Sequence, residues 1–276
     1  MNKGIDISEH NGNIDFSKLK NDNIEFVIIR VGWIGNKNNH TLDKKFNEYF
    51  LKAKEQGLKI GFYVYSYCKT LEALRSGVNW LIDYINGKSF ELPIFLDLED
   101  STIAECGKEN LTDQATNFCK IIENLGYKSG IYANKDWFLN KLNINKLLDY
   151  KIWLAEWNGK ENHTLGFKVD LWQYTSDGTV DGINGRVDLN KCLCDCNETQ
   201  ENNNNGDDEE VKLYQNGSTI ENVYSDTNCT NKIGSLNIYE QCDCLGIFEN
   251  RAIVRYKVDN KNNYKIGFVK WLGGVK

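Results

Sequence analysis

The sequence contains no apolar run of the roughly 18 residues that a membrane-spanning helix needs, so no transmembrane segment is expected. Its start, Met1-Asn2-Lys3-Gly4-Ile5-Asp6, lacks the apolar core of a secretory signal, and synthesis in a cytoplasm without a signal peptide is the corresponding expectation. Histidine is scarce, three in 276 residues, and none lies near the cysteine clusters Cys192-Leu193-Cys194-Asp195-Cys196 and Cys242-Asp243-Cys244. Their Cys-x-Cys spacing also departs from that of common structural zinc sites, so neither a metal nor a cofactor is expected. Nine cysteines, an odd number and mostly clustered, read as reduced thiols rather than a disulfide framework. An excess of positive charge is missing too. The net charge of −6 argues against general nucleic-acid binding. The single proline, Pro93, amid abundant Asn and Lys reflects coding bias rather than a physical signal.

Hydrophobic residues make up 41% and aromatics 12%, enough for a sizeable core. The charge is uneven. From Val211 onward nine Lys/Arg face six Asp/Glu, a balance of +3, which leaves −9 on the rest. A mildly basic tail on an acidic body suits a module that meets an anionic surface. Between the two, residues 197–210 are polar, acidic and without apolar periodicity. Such a stretch buries too little surface to offset chain entropy and reads as a linker. Two domains are expected, 1–196 and 211–276.

The first domain alternates strand and helix signals. Strands are expected at Gly4–Ser8, Phe26–Gly32, Lys59–Ser66, Leu92–Glu99, Lys128–Asn134, Lys151–Trp157, Val169–Thr175 and Arg186–Leu189. Helical patterns occupy Thr41–Gln56, Thr70–Asn86, Thr112–Leu125, with Thr112 as cap, and Asn134–Leu148. Such alternation implies a largely parallel sheet and, with about eight strands, an irregular (β/α) barrel. The second domain shows short β-runs at Ser235–Glu240, Leu245–Glu249, Arg251–Val258 and Tyr264–Val269, with polar turns at Cys242-Asp243, Asn250 and 259–263. It reads as a small all-β barrel.

Pro93-Ile94-Phe95-Leu96-Asp97-Leu98-Glu99-Asp100 carries the strongest chemical signal: a buried strand ending in acids. Alternation puts Asp97 and Glu99 on one face, about 6–7 Å apart along the strand. Carboxylates so placed either cap the next element or split a glycosidic bond, one as acid and one as base, nucleophile or electrostatic stabiliser. Asp6, between isoleucines, is a second buried acid; Arg30 on the next strand is a candidate partner. Tyr63 and Tyr65 share a face, the sixth strand carries Trp153, Glu156 and Trp157, and the seventh carries Trp172 and Gln173. As single residues they read as core. Ringed around acids, aromatic faces and an amide make a carbohydrate groove. The glycine-rich loop 177–185 leads to Val187-Asp188, the start of a last strand with an inward acid.

Gly4-Ile5-Asp6-Ile7-Ser8, Phe26-Val27-Ile28-Ile29-Arg30, Asp97-Leu98-Glu99, Gly130-Ile131-Tyr132-Ala133-Asn134, Trp153-Leu154-Ala155 and Trp172-Gln173-Tyr174-Thr175-Ser176, followed by Val187-Asp188-Leu189-Asn190, together resemble glycoside hydrolase family 25, the muramidase lysozymes. The resemblance spans nearly all of residues 1–196. It implies a peptidoglycan hydrolase acting on the β-1,4 bond between N-acetylmuramic acid and N-acetylglucosamine. Glu99, Asp97, Asp6 and Asp188 would carry catalysis, with Asp181 as a rival for the fourth place. Tyr63, Tyr65, Tyr132, Trp153, Glu156, Trp157, Trp172 and Gln173 would bind substrate. Retention is implied, with either a carboxylate or the substrate's acetamido oxygen as nucleophile. Glu221-Asn222-Val223-Tyr224-Ser225, Ile233-Gly234-Ser235-Leu236 and Tyr264-Lys265-Ile266-Gly267-Phe268-Val269 resemble bacterial Src-homology-3-like wall-binding modules. The combination implies a phage endolysin lysing a Gram-positive host, with peptidoglycan as partner and neither nucleic acid nor membrane. A non-catalytic wall-carbohydrate binder and a chitinase-like glycosidase are the alternatives. Purine-rich codons for Gly206-Asp207 ahead of Val211 raise self-association with, or separate translation of, the C-terminal domain.

Overall fold

The computed structural model describes residues 2–193, 213–225, 229–248, 251–257, 264–270 and 274–275. The expected linker at 197–210, the start at Val211, Cys194 and Cys196, and the turns at Asn250 and 259–263 lie outside them. The chain divides into two compact units, Met1–Ile122 with Tyr127–Gln200 and Glu123–Gly126 with Glu201–Lys276.

The first unit runs β1 (Asn2–Ile7), β2 (Ile24–Ile34), β3 (Thr41–Leu42), α1 (Phe46–Glu55), β4 (Lys59–Ser66), α2 (Leu71–Ile85), β5 (Ile94–Asp97), α3 (Lys108–Asn124), β6 (Ser129–Asn134), β7 (Lys151–Ala155), β8 (Leu171–Gly178) and β9 (Val187–Cys192). The strand order is β1-β9-β8-β7-β6-β5-β4-β2-β3, and β1 also pairs with β2. Eight strands therefore close into a barrel, and β3 hangs on its rim. Neighbours from β1 through β2 and β4 to β8 are parallel, whereas β9 is antiparallel to both β8 and β1. The barrel is thus mixed. The direction of β9 follows from loop length: a parallel return needs a crossover of about a dozen residues or more, and only 179–186 separate β8 from β9.

Alternation sends Phe26, Ile28, Phe95, Tyr132, Trp153, Leu171 and Cys192 into one buried cluster inside the barrel. Trp153 lies edge-on to Phe95 at 5.2 Å and to Tyr132 at 4.5 Å between ring centroids. Gly130 on β6 makes room for this packing, since a Cβ there would lie 2.5 Å from both the Phe95 ring and the Lys151 carbonyl.

Some expected elements differ. The first helix begins at Phe46, not Thr41, because Thr41 and Leu42 pair with Trp33 and Gly32 as β3. Thr112 is no cap. It lies buried inside α3, where its hydroxyl donates to the Lys108 carbonyl at 2.7 Å and accepts from the Asn143 amide at 2.8 Å. That amide is one reason the fourth expected helix, Asn134–Leu148, does not form. A π-helical turn at Trp137–Lys141 and a 3₁₀ turn at Ile144–Lys146 take its place. Asn134, Asn140, Asn143 and Asn145 are weak helix formers whose side chains compete for backbone groups. Asn134 bonds the Trp137 amide at 3.0 Å.

The second unit is an all-β sheet of β10 (Leu213–Gln215), β11 (Glu221–Tyr224), β12 (Lys232–Leu236), β13 (Gln241–Phe248), β14 (Arg251–Lys257) and β15 (Tyr264–Val269), ordered β10-β13-β14-β15-β11-β12 and antiparallel throughout. Cys242-Asp243, expected as a turn, lies within β13. Cys242 and Cys244 point into a core with Tyr214, Val223, Leu236 and Val254, while Asp243 faces outward and binds Arg255 at 2.7 Å. The Cys-x-Cys spacing is here the period of a strand, with sulfur acting as core hydrophobe. Cys68, Cys106, Cys119, Cys229, Cys242 and Cys244 are reduced; Cys192 is disulfide-bonded, which departs from the expectation of reduced cysteines throughout.

Candidate active site

Four acids gather at the barrel end where the parallel strands finish. Asp6 closes the inner face of β1, and Asp188 stands directly opposite it on β9. Asp97 ends β5 in register with Tyr65 on β4 and Tyr132 on β6. Glu99 follows two residues later, open to solvent at the mouth. Asp6 and Asp97 are buried. Asp181 is elsewhere: it accepts from Asn21 at 3.0 Å, and its amide donates to Asp22.

Burial makes each of these acids harder to ionise, and neighbouring carboxylates add to it at Asp6, Asp97 and Glu99. Burial, and then the charges of Asp188 and Glu99, push Asp6 up to about 8, although donors from Asn190 and Gln173 pull the other way. Burial raises Asp188 to about 6. Burial, Glu99 and Asp6 hold Asp97 well above the usual carboxylate range. The side chain of Glu99 is reachable from solvent, yet the concave walls desolvate its carboxyl and raise it. The like charges that add to this are Asp188 and Asp100. The Asp97 Oδ1 is buried with no hydrogen-bond partner among the described residues.

A hydrogen-bonded chain holds Asp6. Its Oδ2 accepts from Gln173 Nε2 at 3.0 Å and from Asn190 Nδ2 at 2.8 Å. The Gln173 Oε1 accepts from the Tyr132 hydroxyl at 3.0 Å and from the Trp157 indole at 3.1 Å. The Asn190 Oδ1 accepts from the Trp153 indole at 2.8 Å. Asn190 was missed by sequence reasoning. Its signal was present, because it stands two residues after Asp188 on one strand face. Arg30 does not partner Asp6. It donates to Asp43 at 2.7 Å and Glu9 at 3.2 Å, and its charge favours ionisation of Asp97.

The aromatic residues separate into a wall and a core. Tyr63 and Tyr65 line the inner face of β4, and the Tyr65 hydroxyl donates to Asp100 at 3.0 Å. Tyr65 continues through Tyr67, 4.9 Å away, to Trp33, 5.6 Å further, neither of which the sequence singled out. Trp157 stands 60% exposed at the mouth. Trp153 is a buried plug beneath Asn190. Trp172 points to the outer face, opposite Gln173, where Lys191 lies over its ring at 5.1 Å. Glu156 is occupied by the Lys135 ammonium at 3.0 Å and the Thr164 amide at 2.7 Å. Burial opposes its ionisation, but Thr164 and Lys135 hold its carboxyl down at about 2. The structure thus gathers Asp6, Asp97, Glu99, Asp188, Tyr63, Tyr65, Tyr132, Trp157 and Gln173, and sets Trp153, Glu156 and Trp172 in supporting positions.

The family model for glycosyl hydrolases family 25 matches residues 5–183. The autolytic lysozyme of Clostridium acetobutylicum is 27% identical over 191 residues, covering 68% of this chain and 55% of that protein. The chain therefore spans about half the length of this curated relative. Among solved structures, the CTP1L endolysin, whose activity is regulated by a secondary translation product, aligns with a TM-score of 0.58 and 28% identity over 70% of this chain and 66% of that one. The modular autolysin LytC from Streptococcus pneumoniae, solved with a synthetic peptidoglycan ligand, aligns with a TM-score of 0.60 and 25% identity over 68% of this chain and 46% of that one.

Proposed function

The chain belongs to family 25 of the glycosyl hydrolases, and on that premise we propose that it hydrolyses peptidoglycan, cutting the β-1,4 bond between N-acetylmuramic acid and N-acetylglucosamine. The observation that carries the reading is the meeting of Asp6, Asp97, Glu99 and Asp188 at one barrel mouth, each with its carboxyl raised. Glu99 is the acid most open to solvent, and the upward shift of its carboxyl favours the protonated form that the leaving oxygen needs. Asp188, raised only to about 6, stabilises positive charge as it develops at the anomeric carbon, and Asp6 does so once it is ionised. Asp97 orients the substrate's acetamido group through its unpartnered Oδ1. Tyr63, Tyr65, Trp157 and Gln173 form the sugar-binding wall, and Tyr132 braces it.

The fold reads as an irregular (β/α) barrel followed by a Src-homology-3-like wall-binding module, with domains 1–196 and 211–276 joined by the acidic linker. The basic balance of residues 211–276 and the all-β sheet support this reading. We read the chain further as a phage endolysin made in a host cytoplasm and acting on a Gram-positive wall; likeness to the CTP1L endolysin supports the endolysin part of that reading. Regulation of that endolysin by a secondary translation product supports separate translation from Val211 here, and β10 and β12, which end the sheet, are the edges through which such a product would pair.

Glu99→Gln tests the assignment. The variant keeps the fold and wall binding but loses lysis by on the order of 10²–10⁴. Retention of more than roughly a tenth of parental activity would remove Glu99 from the acid role.

A further inference from the structure

Both amides that hold Asp6 are themselves fixed by indole groups. An indole N–H only donates, so the amide atom facing it must be the oxygen. Trp153 thereby turns the Asn190 Oδ1 toward itself and the Asn190 Nδ2 toward Asp6. Trp157 does the same to Gln173, turning its Oε1 outward and its Nε2 onto the Asp6 Oδ2. The second group on the Gln173 Oε1, the Tyr132 hydroxyl, imposes no orientation, because a hydroxyl accepts as readily as it donates. Without the Trp157 N–H, Gln173 is free to flip: its Nε2 would donate to Tyr132, and its Oε1 would face Asp6. A flipped amide repels ionised Asp6 and accepts from protonated Asp6. The two locks differ in place, since Trp153 is fully buried whereas Trp157 is 60% exposed.

We infer that Trp157 is a positioning residue for Asp6: its indole N–H sets the orientation of the Gln173 amide and thereby favours the ionised form of that carboxylate. The inference rests on the reading of Asp6 as a charge-stabilising group in the hydrolase site, and it adds to a ring-stacking role for Trp157 one that works through the N–H alone. It also accounts for an indole at the mouth where any aromatic ring would stack on a sugar.

The groups facing Asp6 set the background. Asp188 stands on β9, Asp97 and Glu99 on and after β5, Tyr63 on β4 and Tyr132 on β6, with the Arg30 charge on β2 acting on Asp97 and Tyr63. All of these remain when only the Trp157 N–H is removed. Burial and the neighbouring acids already raise Asp6, so losing one donor moves its titration further up.

The test is a carboxyl-carbon NMR titration of the full chain, with Asp6 assigned by loss of its signal in Asp6→Asn. Trp157→Phe keeps an aromatic ring and loses the N–H. Its Asp6 midpoint is expected to rise by on the order of half a pH unit or more, as losing a donor to a carboxylate does. Gln173→Leu is expected to raise it at least as far, and the double variant no further than Gln173→Leu alone. If the chain hydrolyses wall, the acid limb of the kcat profile moves up in step in Trp157→Phe, whereas pure loss of stacking raises KM with the limb unmoved. An Asp6 midpoint in Trp157→Phe equal to the parent's overturns the inference, as does a Trp157→Phe shift that adds in full to that of Gln173→Leu. The titration reads the carboxyl directly, so absence of hydrolysis would defeat the functional reading and leave this result standing on its own.

Discussion

At the residue scale the site is a problem of crowded charge. Asp6 is raised from 3.8 to about 8, chiefly by burial. The folded chain therefore holds a proton that the unfolded chain has released between those values. Stability from this group is fully present below the unfolded value, and it is lost as pH rises through the folded one. Asp6→Asn removes that dependence and keeps an oxygen acceptor for Gln173 and Asn190. Its melting temperature should fall less than the parent's across this window and lie above it at pH 8, as followed by thermal unfolding at a series of pH values. Equal slopes for the two proteins would mean that Asp6 does not carry the titration. Asp6, Asp97, Glu99 and Asp188 were legible because alternation along short buried strands fixes which side chains share a face. Partners were less legible. Arg30 turned to Asp43 and Glu9 because Asp43 lies on the segment between β3 and α1, a placement no local pattern encodes. Trp172 was misjudged as groove because an aromatic next to Gln173 in sequence lies on the opposite face in a strand.

Elements were read best where periodicity and burial agreed. The strands of the barrel and α2, capped by Thr70 on the Ala73 amide at 3.2 Å, fall within a few residues of expectation. The reading failed where tertiary bonds overrode pattern, as when the Thr112 hydroxyl captured the Asn143 amide and broke a helix-like run. The antiparallel course of β9 was implied by its short connection but not by its composition. Packing inside the barrel gives a direct test. Gly130→Ala would place a methyl 2.5 Å from the Phe95 ring and from the Lys151 carbonyl, and a backbone carbonyl does not swing aside. Overpacking of this kind costs about 1–3 kcal/mol, so the variant should melt several degrees lower. A melting temperature unchanged within error would show that β6 and β7 are less tightly packed than described.

On the scale of the whole molecule, the chain divides into two compact units. The acidic, Asn-rich composition of 197–210 is the ground for expecting a boundary there, since such a sequence has little with which to form a core. A fragment of residues 1–196 should fold and keep part of the hydrolysis, and one of residues 211–276 should sediment with host walls without solubilising them. A folded 211–276 that stays in the supernatant would contradict the wall-binding role. The proposed activity is defined by the bond that is cut. Mass spectrometry of reduced sugar ends, after the full chain has acted on purified Gram-positive peptidoglycan, reads that bond directly. New reducing ends on N-acetylmuramic acid, absent with Glu99→Gln, are expected; reducing ends on N-acetylglucosamine, or soluble peptides with no new sugar ends, would overturn the muramidase reading.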